Sequence, residues 1–225
     1  MYRYLRLFAV ILVALGGLLH AAPGAGGDQP GVVMIFGDSI TAGSKLPKAQ
    51  LDRLWVNQLQ TAAGDKLKIV NEGRPGRETN SVGEFRAALK RNPQVSLLVL
   101  ALGMNDSRDI TDRCVPAAVK HLREMIQAAR AACGPQLSVL ILGPTNINKE
   151  ALGPTKSIGD QREQKLQELG TAFEGLAKEL GCDYISLLGV VPASSLLVDG
   201  VHPDPAGNDP IFRAMSAKVL PANSP

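Results

Sequence analysis

The chain has 225 residues, 45% of them hydrophobic, and its 24 basic and 21 acidic side chains leave a formal net charge of +3. This length allows one domain with a sizeable core. The near balance of charge, without a basic stripe, argues against a nucleic-acid partner, and the cysteines and histidines lack the spacing of zinc ligands.

The first 25 residues have the three-part pattern of a secretory signal peptide. Arg3 and Arg6 precede an apolar run at Leu7–Leu19, and small residues follow. An uncleaved membrane anchor is the alternative, but thirteen apolar residues are short for crossing a bilayer. We therefore predict a signal peptide over residues 1–25, and a secreted or periplasmic protein with no stable membrane anchor after cleavage. Loss of the two arginines lowers the net charge to +1.

The next stretch, VVMIFGDSI at residues 32–40, begins with an uninterrupted apolar run. Such a run is typical of a strand buried on both faces of a parallel sheet. Gly37 and Asp38 end the run, and Ser39 follows at the strand end where open α/β sheets keep their binding crevice. Gly-Asp-Ser is also ordinary turn chemistry, so the rest of the chain must decide between the two interpretations.

Apolar periodicity predicts four more strands, with a helix between each pair. The strands are at residues 67–70, 95–102, 137–142 and 184–188, and the helices at residues 50–63, 81–90, 116–132 and 160–180. Ser81 with Glu84 fits a capping box, and Asp209-Pro210 fits the cap and first residue of a last helix. The polar loop over residues 143–159 is long for a connection, which indicates a lid or a pocket wall.

This alternation predicts a single-domain α/β fold over residues 30–220, a three-layer α/β/α sandwich around a five-stranded parallel sheet. We expect the flavodoxin-like strand order 2-1-3-4-5 with right-handed crossovers. In that order Ser39, the loop from Gly73 to Gly76 and Asn105 all lie at carboxyl ends of strands beside one switch point. This convergence favours a functional role for Ser39.

Four short blocks resemble the GDSL family of esterases, also called SGNH hydrolases. They are Gly37-Asp38-Ser39-Ile40, the loop at Gly76, Gly103-Met104-Asn105-Asp106 and Asp199-Gly200-Val201-His202, in the family's order. The stretch NEGRPGRET is similar to members called arylesterases and carbohydrate acetylesterases. The resemblance implies the SGNH hydrolase fold and a serine esterase. The run His-Pro-Asp-Pro after the histidine departs from the usual family pattern, which leaves the start of the last helix open.

Ester hydrolysis needs a nucleophile, a base and a group that orients the base. Ser39 is the candidate nucleophile. His202 is the candidate base, since the other histidines are His20 in the predicted signal and His121 in the middle of a helix. Asp199 lies three residues before His202, so a bent loop would bring its carboxylate to the imidazole. A plain turn aspartate beside a glycine is the alternative for Asp199.

An oxyanion hole would take the Ser39 N–H, a glycine N–H and the Asn105 amide. Gly73 and Gly76 compete for the second place. The family resemblance implies Gly76, because the family's glycine lies five residues after the asparagine that ends the second strand. We interpret Asp106 as a capping or loop-bracing residue.

Three arginines fall on loops at the same end of the sheet, namely Arg74, Arg77 and Arg108. They would favour an anionic substrate if they were free. Pairing with the neighbouring Glu78 or Asp109 is the stronger expectation, because exposed charges are usually solvated or locally paired.

The sequence therefore predicts a secreted serine esterase without cofactor or metal, acting on short acetyl-type esters and, by resemblance, on O-acetylated carbohydrate. The predicted mature chain has six aromatic residues, mostly at core positions, and its site loops are poor in large apolar residues. A lysophospholipase or thioesterase of the same family, which needs a long apolar groove, is the first alternative. A non-catalytic carbohydrate-binding module is the second.

The spacing of the three cysteines allows a prediction of their disulfide pairing. Cys114 and Cys133 lie near opposite ends of one predicted helix, about 28 Å apart at 1.5 Å per residue, which is too far for a disulfide. Cys133 and Cys182 each precede a strand, and the two strands are predicted neighbours. We predict a Cys133–Cys182 bridge and a free Cys114, with three reduced thiols as the alternative.

Overall fold

The computed structural model describes residues 31–220 as five parallel strands in one sheet, in the order β2-β1-β3-β4-β5. This confirms the predicted fold class and strand order. The predicted signal peptide lies outside the described residues. The strands are β1 (Gly31–Gly37), β2 (Leu67–Gly73), β3 (Val95–Ala101), β4 (Ser138–Thr145) and β5 (Asp183–Leu187).

Residues 31–220 contain six α-helices, which lie between the strands and after the last one. They are α1 (Ser39–Ala42), α2 (Trp55–Ala63), α3 (Val82–Arg91), α4 (Cys114–Cys133), α5 (Gly159–Leu180) and α6 (Pro205–Val219). Helices α3, α4 and α5 cover one face of the sheet, and α2 and α6 cover the other. None of the helices in residues 31–220 has the length and apolar character needed to cross a membrane.

The central strand β1 contributes to both cores because its side chains alternate between the two faces. Met34 and Phe36 join the cluster under α3, α4 and α5, whereas Val33 and Ile35 join the cluster under α2 and α6. All four are almost fully buried. The unbroken apolar run is therefore the signature of a strand with no solvent-facing side, and it fixes the position of Ser39 at the centre of the sheet edge.

The predicted helix over residues 50–63 is divided in the structure. A 3₁₀ turn covers Lys48–Arg53, Leu54 is extended, and α2 begins only at Trp55. The Trp55 N–H donates to Asn208 Oδ1 at 3.2 Å, and the Leu54 side chain is buried. A contact with a residue more than 150 positions away thus sets the helix start, and local periodicity does not report such contacts.

The predicted capping box at Ser81 is wrong, because the Ser81 side chain makes no capping hydrogen bond. Glu84 instead accepts from the guanidinium groups of Arg74 and Arg77. Two arginines on the preceding loop therefore take the carboxylate that the local pattern had assigned to the helix start.

The predicted start of the last helix is also wrong. Helix α6 begins at Pro205, and the Asp204 carboxylate caps it by accepting the Gly207 N–H at 2.7 Å. Pro210 lies inside the helix, and Asp209 pairs with Arg53. Asp204-Pro205 and Asp209-Pro210 have the same capping chemistry, so the dipeptide alone could not select between them.

The predicted Cys133–Cys182 bridge is wrong, because all three cysteines are free. Strands β4 and β5 are neighbours as expected, but the two thiols have different surroundings. Cys133 lines a groove between α3 and α4 with Leu89 and Ala132, whereas the Cys182 Sγ lies 3.6 Å from Arg130 Nη2. Adjacent strands bring the backbones together without directing the side chains at each other.

Candidate active site

Ser39 is the first residue of α1, directly after the short turn that ends β1. Asp38 caps this helix, and its Oδ1 accepts the Ile40 N–H at 2.9 Å. A Cβ at Gly37 would overlap the Thr41 side chain, so only glycine allows this sharp strand-to-helix turn. The first turn of a helix leaves its N–H groups without intrahelical partners, and the Ser39 N–H is one of these.

His202 joins Ser39 to Asp199 in one chain of hydrogen bonds. His202 Nε2 lies 2.8 Å from Ser39 Oγ, and His202 Nδ1 lies 2.7 Å from Asp199 Oδ2. The other oxygen of Asp199 accepts the backbone N–H groups of Val201 and His202, both at 3.0 Å. The structure thus brings together the three side chains selected from the sequence, although Ser39 and His202 are 163 residues apart.

The environment of Asp199 favours its charged form. Partial burial raises the pKa of this carboxyl, but the backbone N–H groups of His202 and Val201, together with the imidazole, outweigh that effect and hold the pKa below its ordinary value. Asp199 is therefore an ionised acceptor at neutral pH. It can orient the imidazole with Nδ1 protonated and Nε2 facing Ser39.

The loop that carries Asp199 and His202 is held by the long connection after β4. The Asn148 N–H donates to the Gly200 carbonyl at 2.8 Å, and Gly200 has a φ of +70°. A Cβ at Gly200 would overlap the Asn148 carbonyl oxygen. The residues 143–159, expected as a lid or pocket wall, include two 3₁₀ turns (Lys149–Ala151 and Gly153–Ile158) and support the histidine loop at this point.

The two candidate oxyanion glycines differ in their surroundings. The Gly73 N–H donates to Asn71 Oδ1 at 2.8 Å, and a Cβ there would overlap the backbone of Ala42. Gly76 has a φ of +73°, and nothing lies within 4 Å of the position that its Cβ would take. Gly73 is thus a tightly packed strand end, whereas Gly76 lies at an open turn.

Asn105 follows β3 and is buried. Its Nδ2 donates to the Arg77 carbonyl at 3.0 Å. A primary amide has two N–H groups, so this bond holds the amide in place and leaves a second N–H to donate.

Asp106 holds the loop after β3 against the loop after β2, in agreement with its interpretation as a loop-bracing residue. Its carboxylate accepts the Thr79 N–H at 3.0 Å and the Thr79 hydroxyl at 2.5 Å. Burial raises the pKa of Asp106, and the Thr79 hydrogen bonds oppose that shift. His121 Nδ1 lies 3.4 Å from the Thr79 hydroxyl, so this histidine packs against the loop that Asp106 holds.

The three arginines of the site loops do not take the expected partners. Arg74 and Arg77 both pair with Glu84, and Asp109 accepts from Thr111. No ion pair of Arg108 occurs within residues 31–220. Local pairing was the right expectation for two of the three, but the partner comes from helix α3 and not from the neighbouring residue.

Sequence reasoning missed Arg162, a buried side chain of α5. Its Nε donates to Ser107 Oγ at 3.0 Å and its Nη2 to the Met104 carbonyl at 3.2 Å, so it grips the turn around Asn105. Burial lowers the pKa of Arg162 to about 10, with the nearby Arg108 acting in the same direction. The sequence feature that could have revealed Arg162 is its position four residues before Leu166, which places a cation on the inward face of an amphipathic helix.

A small pocket opens beside Ser39 and His202. Ile40, Leu46 and Leu54 give it apolar walls, and Lys45, Pro203 and Asn208 also line it. Elsewhere in the described part of the chain, no cluster of three His, Cys, Asp or Glu side chains has an arrangement that could hold a metal ion. The arrangement is suited to nucleophilic attack by a serine hydroxyl on a small carbonyl compound.

Comparison with known proteins identifies one family and several similar folds. The model of the GDSL-like lipase/acylhydrolase family matches residues 35–209. A search of curated proteins finds no match.

Solved structures cover 84% of this chain and nearly all of their own. A protein from Agrobacterium tumefaciens strain C58 named as an arylesterase is 27% identical with a TM-score of 0.69 and is covered over 98% of its length. A carbohydrate acetylesterase family member from Sinorhizobium meliloti is 23% identical with a TM-score of 0.71 and 97% covered. The M. smegmatis aryl esterase is 21% identical with a TM-score of 0.67 and 98% covered. The latter two likenesses show a shared fold.

Proposed function

Because the chain belongs to the GDSL-like lipase/acylhydrolase family and is an ester hydrolase, we propose that it cleaves short-chain carboxylic esters with Ser39 as nucleophile. The observation that carries this proposal is the hydrogen-bond chain from Ser39 through His202 to Asp199, with links of 2.8 and 2.7 Å. Each link is within the distance at which a proton can be transferred or held.

In the proposed mechanism, Ser39 Oγ attacks the ester carbonyl carbon while His202 Nε2 takes the hydroxyl proton. Asp199 stabilises the imidazolium that forms and remains ionised. The alcohol leaves with the proton from His202, and an acyl-Ser39 intermediate remains. Water then attacks that intermediate with His202 again as the base, which releases the carboxylic acid.

The oxyanion of each tetrahedral intermediate would take three donors, the N–H groups of Ser39 and Gly76 and the Asn105 amide. The Gly73 N–H already donates to Asn71 Oδ1, which supports Gly76 as the glycine donor. Oxyanion donors act on charge that develops in the transition state, so each contributes to kcat more than to substrate binding.

A short acyl group is matched by the small pocket beside Ser39, in which Ile40, Leu46 and Leu54 are the apolar walls. The likeness to a carbohydrate acetylesterase family member supports an acetylated sugar as the natural ester. One observation favours a longer acyl chain: the exposed large hydrophobic residues of the described chain are Ile110, five residues after Asn105, and Val198, directly before Asp199. Two single side chains cover little of a long chain, at about 0.8 kcal/mol for each buried CH₂.

A chain-length series of p-nitrophenyl esters tests the proposal. We expect kcat/KM to peak at about two to four acyl carbons, because few apolar side chains line the pocket that would receive a longer chain. Ser39→Ala should lower kcat by several orders of magnitude, and Asn105→Ala by about 10²–10³ as expected of an oxyanion donor. A peak at twelve carbons would support the lysophospholipase alternative, and an active Ser39→Ala enzyme would refute the mechanism.

We further propose that residues 1–25 export the protein, on the pattern of Arg3, Arg6 and the apolar run that follows. Amino-terminal sequencing of the protein recovered outside the cytoplasm should give a start between Ala21 and Gly27. An intact start at Met1 would contradict export by cleavage.

A further inference from the structure

We propose that Arg77 is a positioning residue that sets the spacing of the oxyanion donors, an inference that rests on the proposed function. Arg77 directly follows Gly76, and its side chain is only 6% exposed. Its guanidinium and its backbone carbonyl together contact the three loops that carry Ser39, Gly76 and Asn105.

The guanidinium joins the glycine loop to the end of β1. Arg77 Nη1 donates to the Gly37 carbonyl at 2.7 Å and also to the Glu72 carbonyl. Gly37 lies two residues before Ser39, at the turn that presents the nucleophile. The Gly37 carbonyl also accepts the Arg74 backbone N–H at 3.1 Å. The Arg77 side chain therefore adds a second link between the carboxyl ends of β1 and β2.

Two other contacts fix the guanidinium in this position. Its Cζ lies 3.9 Å from the centre of the Phe36 ring, which is fully buried in β1. Glu84 accepts from Arg77 Nη2 at 3.2 Å and balances the charge. A planar guanidinium can stack on a ring and donate in its plane at once, which a lysine ammonium cannot do.

The Arg77 backbone completes the connection. Its carbonyl accepts the Asn105 Nδ2 at 3.0 Å, so the orientation of the Asn105 amide depends on where Arg77 lies. Displacement of Arg77 would therefore move Gly76 through the peptide bond and Asn105 through the hydrogen bond. Ser39 would lose a support at Gly37.

This role predicts an effect on kcat with little effect on KM. The oxyanion donors stabilise charge that is absent from the bound ester, so their misplacement weakens the transition state and leaves ground-state binding nearly unchanged. A displacement of 1 Å can cost about 10²-fold in rate.

The experiment compares Arg77→Met and Arg77→Lys with Arg74→Met as matched control. Arg74 binds the same Glu84 with its side chain, but that side chain is half exposed and donates no hydrogen bond to β1 or Asn105. Its backbone N–H, which the substitution keeps, donates to the Gly37 carbonyl. With p-nitrophenyl acetate we expect Arg77→Met to lower kcat about 10–10²-fold with KM within about threefold. Arg77→Lys should recover part of that loss, and Arg74→Met should remain within about twofold of wild type.

Two further measurements separate positioning from folding. The affinity for a trifluoromethyl ketone, whose adduct with Ser39 carries an oxyanion, should fall in parallel with kcat/KM in the Arg77 variants. Thermal unfolding reports the folded fraction, and Arg77→Lys, which keeps the charge and the apolar stem, serves if Arg77→Met does not fold.

The inference is overturned if folded Arg77 variants keep the wild-type kcat, if KM alone changes, or if Arg74→Met has the same effect. These results leave the proposed function standing provided that Ser39→Ala is inactive. An active Ser39→Ala enzyme would refute the proposed function itself, whatever the Arg77 variants do.

Discussion

Burial gives Asp38 a different role from the ionised Asp199, although the two carboxyls serve the same site. Asp38 is fully buried, and desolvation raises its pKa to about 7 despite the hydrogen bond from Ile40 N–H. Asp199 receives two backbone N–H groups and an imidazole, which hold its pKa low. Asp38 is thus protonated over part of the neutral range, whereas Asp199 is ionised and, in the proposed mechanism, stabilises the imidazolium.

We predict that Asp38 makes the folding stability fall as the pH rises. The unfolded carboxyl ionises near 3.8 and the folded one near 7, so between these values the folded state binds the extra proton. The contribution of Asp38 to the free energy of unfolding is fully present below pH 3.8 and is lost as the pH rises through 7. The total loss is about 4 kcal/mol, at about 1.36 kcal/mol per pKa unit.

Asp38→Asn tests this prediction, since the amide oxygen can still accept the Ile40 N–H. Urea unfolding at pH 5 and pH 8 should show the wild type losing stability across this range relative to Asp38→Asn. Asp65→Asn, at an exposed position in the connection before β2, serves as control. If the free energy of unfolding changes between pH 5 and pH 8 by the same amount in the wild type and in Asp38→Asn, burial does not raise the pKa of Asp38.

At the scale of elements, the site depends on loops that hold one another. The connection after β4 supports the histidine loop where Asn148 meets Gly200, and Asp106 joins the loop after β3 to Thr79 of the loop after β2. Helix α6 then begins at Pro205, three residues after His202. A change at one such contact should therefore alter the geometry of a candidate catalytic side chain that it does not touch.

We predict that Gly200→Ala lowers both stability and kcat. The positive φ of +70° costs about 1–2 kcal/mol for an L-residue, and the new Cβ would also push the Asn148 carbonyl away. The displaced loop should misplace His202 and reduce kcat about tenfold or more.

Gly153→Ala is the matched control, because Gly153 has a φ of +57° with open space around its Cβ position. It should show the backbone cost with little loss of kcat. The measurements are chemical unfolding and p-nitrophenyl acetate turnover. Equal kcat in the two variants would mean that the Asn148–Gly200 contact does not position His202.

At the scale of the whole molecule, two cores on either side of one sheet stabilise the fold without a covalent link. The three cysteines are free, and desolvation is the first cause of a raised pKa for each of their thiols. The thiols are therefore poor nucleophiles at neutral pH. They act as small apolar side chains packed in or against the core under α3, α4 and α5.

We predict that a reducing agent leaves the thermal midpoint unchanged within about 1 °C. A disulfide would contribute about 2–4 kcal/mol, which corresponds to several degrees for a domain of this size. Thiol titration of the denatured protein should find three reactive groups per chain, the full cysteine content. If only one thiol reacts and the thermal midpoint falls in reductant, the result would instead support a Cys133–Cys182 disulfide.

Much of the fold could be predicted from the sequence because parallel strands and amphipathic helices leave periodic apolar patterns. The run at residues 32–36 indicated a central strand, and the alternation of elements indicated the strand order that the structure confirms. Ser39, Asn105 and His202 could be named because each follows a strand or a turn motif on the same side of the sheet. Their roles in catalysis remain predictions for the experiments above.

Tertiary structure decided what depends on contacts between distant residues. The start of α2 follows from Asn208, Glu84 pairs with arginines of another loop, and the thiols of Cys133 and Cys182 take different surroundings. Arg77 looks like an ordinary surface cation in the sequence, and for Arg162 the pattern indicates only a place on the inward face of a helix; both are buried against backbone carbonyls of the site. The reason is physical: local patterns report which face of an element is apolar, whereas a buried cation is recognisable only by the groups that fold around it.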